Sequence, residues 1–369
     1  MVRYIIRYDD GCYVQASEQG NEMHLMIHAG ASESFEAQLD AIHHAFNEFM
    51  ESRSEGANPV FMRYFLSDAA NQASVVEECF RDNRFCAMSI VEQPPLDGSK
   101  VALWVYLMKD VEIYEAESGL WEVRQGDIRH LWLGGSFIRG GDSETQMRNL
   151  LENYVEALKD NECTLSRDCI RTWIFVQNVD VNYAGVVKAR CELFDSEGLT
   201  SQTHYIASTG IAGRNAYPDT LVILDAYAVA GLRRDQVRHI YAPTHLNPTY
   251  EYGVTFERGT YVDYPDYRQV FVSGTASIDN KGQIVHPGDV IKQCERLLEN
   301  VSVLLSEAGC GFHNVMSMII YLRDISDYEN VRHIFDSRYH DMPKVYVWAP
   351  VCRPGWLVEM ECMALKKLQ

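Results

Sequence analysis

The chain has 369 residues, 47% of them hydrophobic, which is enough to form two or three domains with separate cores. Acidic residues outnumber basic ones by 52 to 33, and the net charge of −19 argues against nucleic-acid binding through the phosphates, which needs a basic surface. Ten scattered cysteines, no CxxC pair, no leader-like N-terminus and no apolar run of about eighteen residues predict a cytoplasmic protein with free thiols and no membrane span.

The first third of the chain carries a faint copy of a pattern that recurs twice. Apolar alternation and helical spacing predict an early strand, a helix, a middle strand followed by a second helix, and a last strand. These predicted elements are Met23–Ala31, Glu36–Met50, Phe61–Phe80 and Lys100–Met108.

The middle third repeats this order more clearly. A glycine-rich early strand precedes a long amphipathic helix, and a middle strand and a second helix follow before two further strands. These predicted elements are Leu131–Ile138, Thr145–Leu158, Ile170–Val187, His204–Arg214 and Thr220–Val229.

The last third shows the pattern best, in the order β, α, β, α, β, β. Its long helix places leucines and valines at spacings of three and four residues, which buries one helical face. The predicted elements are Val270–Ile278, Asp289–Gly309, Val315–Leu322, Tyr328–Tyr339, Lys344–Val351 and Trp356–Leu365.

A glutamine near the start of each long helix aligns the three copies: Gln38, Gln146 and Gln293. The distance from each glutamine to the polar residue that ends the middle strand is nearly the same in every copy. The sequence therefore predicts three tandem α+β modules, over residues 1–113, 114–242 and 243–369.

Glu359 lies in the last strand among apolar neighbours, and Cys352 lies seven residues earlier, at the end of the preceding strand. The strand alignment puts Ile223 at the equivalent position of the second copy, and the first copy is apolar there too. A surface carboxyl would not need to differ from both copies. Since buried carboxyls have raised pKa values and suit general acid catalysis, Glu359 is the leading candidate for a catalytic residue.

Several stretches resemble a known family. The segments SGTASI, IIYLRDISDYENV and VEMECMAL are similar to the Rid/YjgF superfamily, and STGIAGR, FERG and the VCR before VE resemble its chorismatase branch. Rid proteins are trimers with active sites between subunits. The resemblance therefore implies a single-chain pseudo-trimer of Rid-like (chorismate mutase-like α/β) modules, which we expect to be a monomer.

The resemblance also implies an activity and residue roles. Chorismatases release pyruvate from chorismate, and Glu359 would be the general acid that protonates the enol ether. Arg214, Arg258 and Lys344 would hold the two carboxylates of the substrate. Lys344 stands where imine deaminases of the family have an arginine, which is a departure from that pattern.

Two further residues bear on the product. The branch that forms 3-hydroxybenzoate resembles this chain in having a cysteine at the position of Cys352 and a glycine at that of Gly259. The implied product is 3-hydroxybenzoate, with 4-hydroxybenzoate as an open alternative.

Tyr205, Tyr227 and Ser273 are lesser candidates for the substrate site, because the tyrosines fit a core as well as a cleft. The glycine-rich GGSFIRGG lacks dinucleotide-loop spacing, and the adjacent His43 and His44 diverge on a helix, so we expect no metal and no organic cofactor. Two other interpretations stay open: imine or enamine hydrolysis on the same fold, and a non-catalytic protein that binds small acids.

Overall fold

The computed structural model describes residues 1–30 and 34–368, apart from the side chain of Tyr252, and shows three modules in succession. Each module is a six-stranded mixed sheet with helices packed against it. The three tandem α+β modules predicted from the repeat are thus confirmed. None of the helices in this described part of the chain is long and apolar enough to cross a membrane.

The first module has strand order β1-β2-β3-β6-β4-β5, in which the β4–β5 pair is parallel and the other pairs are antiparallel. Its elements are β1 (Val2–Arg7), β2 (Tyr13–Gln19), β3 (Glu22–His28), α1 (Phe35–Ser52), β4 (Asn58–Leu66), α2 (Ala69–Cys79), β5 (Ala87–Glu92) and β6 (Val101–Met108). The predicted strand Met23–Ala31 corresponds to β3, and its final residue, Ala31, lies outside the described residues.

The second module repeats this arrangement in the order β11-β10-β12-β9-β8-β7, with β10 and β11 parallel. Its elements are β7 (Glu112–Glu115), β8 (Trp121–Gln125), β9 (Ile128–Phe137), α3 (Ser143–Asp160), α4 (Leu165–Asp168), β10 (Cys169–Val176), α5 (Val179–Ser196), β11 (Ala207–Ala212) and β12 (Val222–Ala230).

The third module has the order β13-β14-β15-β18-β16-β17, with β16 and β17 parallel. Its elements are β13 (Val237–Ile240), β14 (Gly259–Asp263), β15 (Tyr267–Ala276), α6 (Val290–Glu307), β16 (Val315–Leu322), α7 (Tyr328–Tyr339), β17 (Lys344–Trp348) and β18 (Val358–Lys367).

The repeated glutamines have a structural role that explains their spacing. Each is buried, and its side-chain carbonyl accepts a hydrogen bond from the backbone N–H that precedes the last long strand of its module. The bonds are Lys100 N to Gln38 at 2.7 Å, Leu221 N to Gln146 at 2.7 Å, and Leu357 N to Gln293 at 2.9 Å. Each glutamine therefore satisfies a buried backbone donor and fixes the helix to the strand.

Two strands at the start of each sheet were missing from the prediction. They are short or edge strands with mixed polar residues, whose alternation is weak because only part of each strand is buried. Their presence moves the sheet boundaries: β7 begins at Glu112 and β13 at Val237, earlier than the predicted module starts at residues 114 and 243. We therefore propose module boundaries in the short connections before β7 and β13.

The three modules share one aromatic core at the centre of the molecule. Trp132 of the second module lies 5.0 Å from Phe61 of the first and 4.2 Å from Tyr227, whose ring lies 5.5 Å from Phe271 of the third, all between ring centroids. Burying such large rings stabilises the assembly of modules, since each removes roughly 150–250 Å² from water. The clefts between modules lie around this core.

Candidate active site

The candidate site is a cavity of about 310 Å³ in the cleft between the second and third modules. The second module contributes α5 and the start of β11, and the third contributes the end of β15, the loop before β14 and the segment leading into β18. Apolar and aromatic walls surround a few polar side chains, which is the usual composition of a small-molecule site.

Glu359 is the acidic residue of this cavity. It lies near the start of β18, in register with Ala276 of β15 and Tyr321 of β16, and only 5% of it is exposed. Burial and then the negative charge of Glu361 raise its pKa to about 8, against the opposing charges of Arg258 and Arg171. The carboxyl is therefore mainly protonated at neutral pH and can donate a proton.

A bulge in β15 makes room for the Glu359 side chain. Ser273 and Gly274 of β15 stand opposite the single residue Glu361 of β18. A Cβ on Gly274 would overlap the carboxyl group of Glu359, so only glycine fits there. The Gly274 N–H donates to Thr209 Oγ1 at 2.9 Å, which ties the bulge to β11 of the neighbouring module.

The charge of Glu361 is held beneath Glu359 by a buried network. Glu361 lies two residues further along β18 and therefore on the same face of the sheet. Its carboxylate accepts hydrogen bonds from Arg171 at 2.8 Å and from the Trp173 indole N–H at 2.7 Å, both from β10. Arg171 also donates to Thr209 Oγ1 at 2.5 Å. The second module thus supplies the groups that fix Glu361.

Cys352 lines the same cavity from the segment before β18. Burial and the neighbouring Glu359 raise the pKa of its thiol to about 12, so the sulfur is neutral. A neutral thiol is a weak nucleophile. The residue can shape the cavity or contact a substrate without forming a covalent intermediate.

Two buried arginines give the cavity its positive charge. Arg258, from the loop before β14, lines it and donates to the backbone carbonyl of Asn247 at 3.0 Å. Arg190, from α5, also lines it and is only 1% exposed, and its Nε and Nη2 have no hydrogen-bond partner among the described residues. Guanidinium groups bind carboxylates through two parallel hydrogen bonds, so a ligand with carboxylates fits here.

Four other predicted site residues lie near the cavity or in the core. Ser273 donates to the Glu257 carbonyl at 2.6 Å and accepts from Ser208 N–H at 2.9 Å, which joins the modules without lining the cavity. Gly259 packs against the backbone of β15, while Tyr205 lines a smaller hollow beyond Arg258. Tyr227 lies in the central aromatic core, where it bonds His130 at 2.6 Å.

The predicted substrate-binding roles of Arg214 and Lys344 need correction, because the structure places both outside this cavity. Arg214 pairs with Glu92 at 3.0 Å, where the first and second modules meet. Lys344 lies between the third and first modules. The edge strand that lines this cavity is β11 of the second module, whereas Lys344 lies in the equivalent strand of the third module, β17. The residue of β11 that is equivalent to Lys344 is Ser208, and Ser208 lines the cavity.

Arg190 was not among the site residues predicted from the sequence, although its position in α5 indicated a binding role. It lies among buried residues of α5, three or four residues from Val186, Leu193 and Phe194. A charged residue on the buried face of an amphipathic helix is rare unless it binds something. The sequence of the second module alone does not explain this charge, because the residues that Arg190 faces across the cavity belong to the third module.

Comparisons with known proteins indicate the family that the chain resembles. The endoribonuclease L-PSP family model matches residues 257–366. A 2-iminobutanoate/2-iminopropanoate deaminase from Mus musculus is 30% identical, in an alignment that covers 27% of this chain and 75% of the relative. A 3-hydroxybenzoate synthase from Streptomyces hygroscopicus is 29% identical over 52% of this chain and 62% of the relative. The alignment thus covers somewhat less than two thirds of the length of the 3-hydroxybenzoate synthase.

A solved structure resembles the whole arrangement. The crystal structure of a chorismatase superposes with a TM-score of 0.67, covering 85% of this chain and 95% of that chain at 19% sequence identity. At this identity the likeness concerns the fold, and it extends over all three modules.

Proposed function

The chain belongs to the Rid/YjgF (endoribonuclease L-PSP) superfamily, in its chorismatase branch, and from this membership we propose that it is a pyruvate-releasing chorismatase. The proposed reaction converts chorismate to 3-hydroxybenzoate and pyruvate, with 4-hydroxybenzoate as the alternative aromatic product. The observation that carries the proposal is the buried Glu359, whose pKa is raised to about 8, in a cavity with two buried arginines, Arg190 and Arg258.

The chemistry of the substrate calls for such an acid. Enol ethers break down when a proton is added to the terminal methylene carbon, which leaves an oxocarbenium ion. Water or a neighbouring ring hydroxyl then captures this ion, and cleavage of the C–O bond of the former enol ether releases pyruvate. Loss of the other ring oxygen as water, together with a ring proton, makes the ring aromatic, so that the overall conversion to hydroxybenzoate and pyruvate consumes no water. With a pKa of about 8, Glu359 retains its proton at neutral pH and can deliver it, and the carboxylate that remains stabilises the positive charge.

The two carboxylates of chorismate have two matching cations. Arg190 comes from the second module and Arg258 from the third, so each side of the cleft contributes one buried guanidinium. Arg190 in particular has buried donors without a partner among the described residues, a costly arrangement that a bound carboxylate would relieve. We propose that Arg190 binds the carboxylates together with the predicted Arg258, in place of Arg214 and Lys344.

The direct test is pyruvate release from chorismate by the wild-type protein and by Glu359→Gln. We expect the substitution to reduce kcat by roughly 10²- to 10⁴-fold, because the amide cannot donate the catalytic proton. Glu22→Gln is a matched control, since Glu22 is equally buried with a pKa raised by burial to about 7 but lies outside the cavity.

Near-normal turnover by folded Glu359→Gln would disprove the general-acid role. A folded wild-type protein that releases no pyruvate would disprove the chorismatase proposal. Imine or enamine hydrolysis, or binding without catalysis, would then be tested on the same cavity.

Cys352→Ala addresses the identity of the product. We expect pyruvate release to continue while the ratio of 3-hydroxybenzoate to other products changes, because the thiol lines the cavity beside Glu359. Chromatography of the aromatic products measures the ratio, with Cys310→Ala as a control for loss of a thiol elsewhere. An unchanged ratio would remove Cys352 from the proposal.

A further inference from the structure

A second open cavity lies in the cleft between the third and first modules, which we call the 3–1 cleft. Its volume is about 420 Å³, and it is lined by α7 and β17 of the third module and by β1, β2 and β3 of the first. Of these, α7, β17 and β3 correspond, through the repeat, to α5, β11 and β15, which line the Glu359 cavity. The 3–1 cleft is therefore the counterpart of the candidate active site.

The 3–1 cleft lacks the catalytic carboxyl. In β6, Ala102 pairs with Phe65 and His28 just as Glu359 pairs with Tyr321 and Ala276 in β18. The cleft between the first and second modules is different again: there β9 packs so closely on β5 that a Cβ on Gly134 would lie 2.7 Å from the Met88 carbonyl. One cleft has the acid, one is filled, and one is open without the acid.

Aromatic side chains form two walls of the 3–1 cleft. The Tyr13 ring stacks on His28 with centroids 4.5 Å apart, and Tyr328 packs edge-on against Tyr346 at 5.6 Å. His28 is fixed by Asp97 at 3.0 Å and by the Lys344 carbonyl at 3.0 Å. These tyrosines offer a flat ligand an apolar surface that is already in place.

The acidic side chains of the 3–1 cleft already form ion pairs or hydrogen bonds with neighbouring residues. Lys344, 3% exposed, pairs with Asp336 at 3.0 Å and donates to the Tyr339 carbonyl at 2.9 Å. Its pKa is lowered by burial. Arg332 pairs with Glu329 at 2.6 Å. Asp97 is hydrogen-bonded to His28 and Ser99, so all three of these acids have partners.

Arg7 is the exception among the charged groups of the 3–1 cleft. Its guanidinium lies 5.6 Å from the Tyr13 ring centroid, and no ion pair joins it to any residue that the structure describes. It is exposed at the rim, so its donors can reach a ligand held against the tyrosines.

We propose that the 3–1 cleft binds a planar aromatic carboxylate without converting it. The ring would lie between the tyrosine walls and the carboxylate would pair with Arg7, while Ala102 leaves no carboxyl at the strand position that Glu359 has in the candidate active site. Hydroxybenzoates belong to this chemical class. A role as a site for the enzyme's own product rests on the proposed function, whereas the binding itself does not.

The test is calorimetric titration of the full-length protein with benzoate. Arg190→Met removes a carboxylate contact of the Glu359 cavity, so binding that survives in this variant reports on other sites. We expect it to retain one benzoate site, and we expect Arg190→Met combined with Arg7→Met or Tyr13→Leu to bind roughly tenfold more weakly. Arg53→Met is the matched control, because Arg53 also lies over a tyrosine of the first module, Tyr4, at 5.7 Å, and does not line the cleft.

Two results would overturn the proposal: no benzoate binding in Arg190→Met, or binding that neither Arg7→Met nor Tyr13→Leu weakens. Pyruvate release from chorismate is measured separately on the Arg7→Met protein, which keeps an intact Glu359 cavity. Failure of the chorismatase proposal appears in that assay and failure of the 3–1 cleft proposal in the titration, so the two are distinguishable.

Discussion

One side chain distinguishes the candidate active site from its two counterparts. Glu359, Ile223 and Ala102 occupy the same strand position, and only the first is ionisable. The sequence alone identified this difference, because the internal repeat provided the comparison. The raised pKa of Glu359 arises from burial beside another carboxylate, a fact that depends on which face of the strand is enclosed.

Glu361→Gln is expected to lower the pKa of Glu359. The substitution removes the nearest negative charge and leaves Arg171 without its counter-charge, and both effects favour the ionised form of Glu359. Activity that needs protonated Glu359 is lost as the pH rises through its pKa, which is about 8 in the wild-type protein. The alkaline limb of the pH profile of kcat should therefore move to lower pH by roughly one unit.

The measurement is kcat for pyruvate release between pH 6 and roughly pH 9.5, a range that brackets the expected pKa. Glu22→Gln should leave the limb where it is. A limb that stays in place or moves to higher pH in folded Glu361→Gln would contradict the role assigned to the Glu361 charge.

Some of the residues predicted for the site line the cavity and others do not, for a physical reason. Glu359, Cys352 and Arg258 line the cavity, and they all belong to the third module. Lys344 does not line it, and Arg190, from the second module, was missed. Sequence patterns describe what one module buries on itself, whereas the cavity depends on how two modules face each other.

At the scale of secondary structure, the bulge in β15 determines the shape of the site. Ser273 joins β15 to β11, and Gly274 leaves the space that the carboxyl of Glu359 fills. The second module has the corresponding irregularity, where Gly134 and Gly135 stand opposite Asp225. Bulges are common next to active sites because they redirect side chains at little cost to the sheet.

Gly274→Ala is expected to abolish activity while most of the fold is kept. The added methyl group would collide with the Glu359 carboxyl and lies 3.0 Å from Thr209 Cγ2, so the acid must leave its position. We expect a loss of kcat of at least roughly 10²-fold and destabilisation of about 1–3 kcal/mol, typical of overpacking. Pyruvate release and urea denaturation measure the two effects.

Gly311→Ala is the matched control for this substitution. Its added methyl group would meet only the His313 side chain, far along the sequence from the cavity-lining residues. Wild-type kcat in Gly274→Ala would show that Glu359 does not need its observed position.

The long helices and central strands were predictable, and the edges of the sheets were not. The helix predicted over Asp289–Gly309 is Val290–Glu307 in the structure, capped by Asp289. A long helix buries an apolar face over many turns, which leaves a clear period in the sequence. Edge strands such as β7 and β13 bury little, so their alternation is lost among polar residues.

For the whole molecule, buried ion pairs connect the modules next to the shared aromatic core. Asp225 and Glu361 occupy equivalent positions in the last strands of the second and third modules. Each receives an arginine from the preceding module: Arg63 at 2.7 Å and Arg171 at 2.8 Å. Both pairs are almost completely buried, so each charge depends on a partner in another module.

Arg63→Met is therefore expected to destabilise the assembled molecule by about 3–5 kcal/mol, because Asp225 would keep a buried charge with, among the described residues, only the Gly135 N–H as a partner. Arg63→Met with Asp225→Asn removes the charge as well and should recover part of this loss. Urea denaturation measures both. Unchanged stability in Arg63→Met would show that the pair does not link the modules.

The unequal residues at one strand position also bear on how such a protein changes over generations. A trimer of identical subunits receives every mutation three times, so a change that suits one cleft is imposed on the other two. In this chain a mutation occurs once, and Glu359, Ile223 and Ala102 are encoded separately. Selection can therefore preserve one cleft while a neighbouring one loses its chemistry or acquires a different ligand.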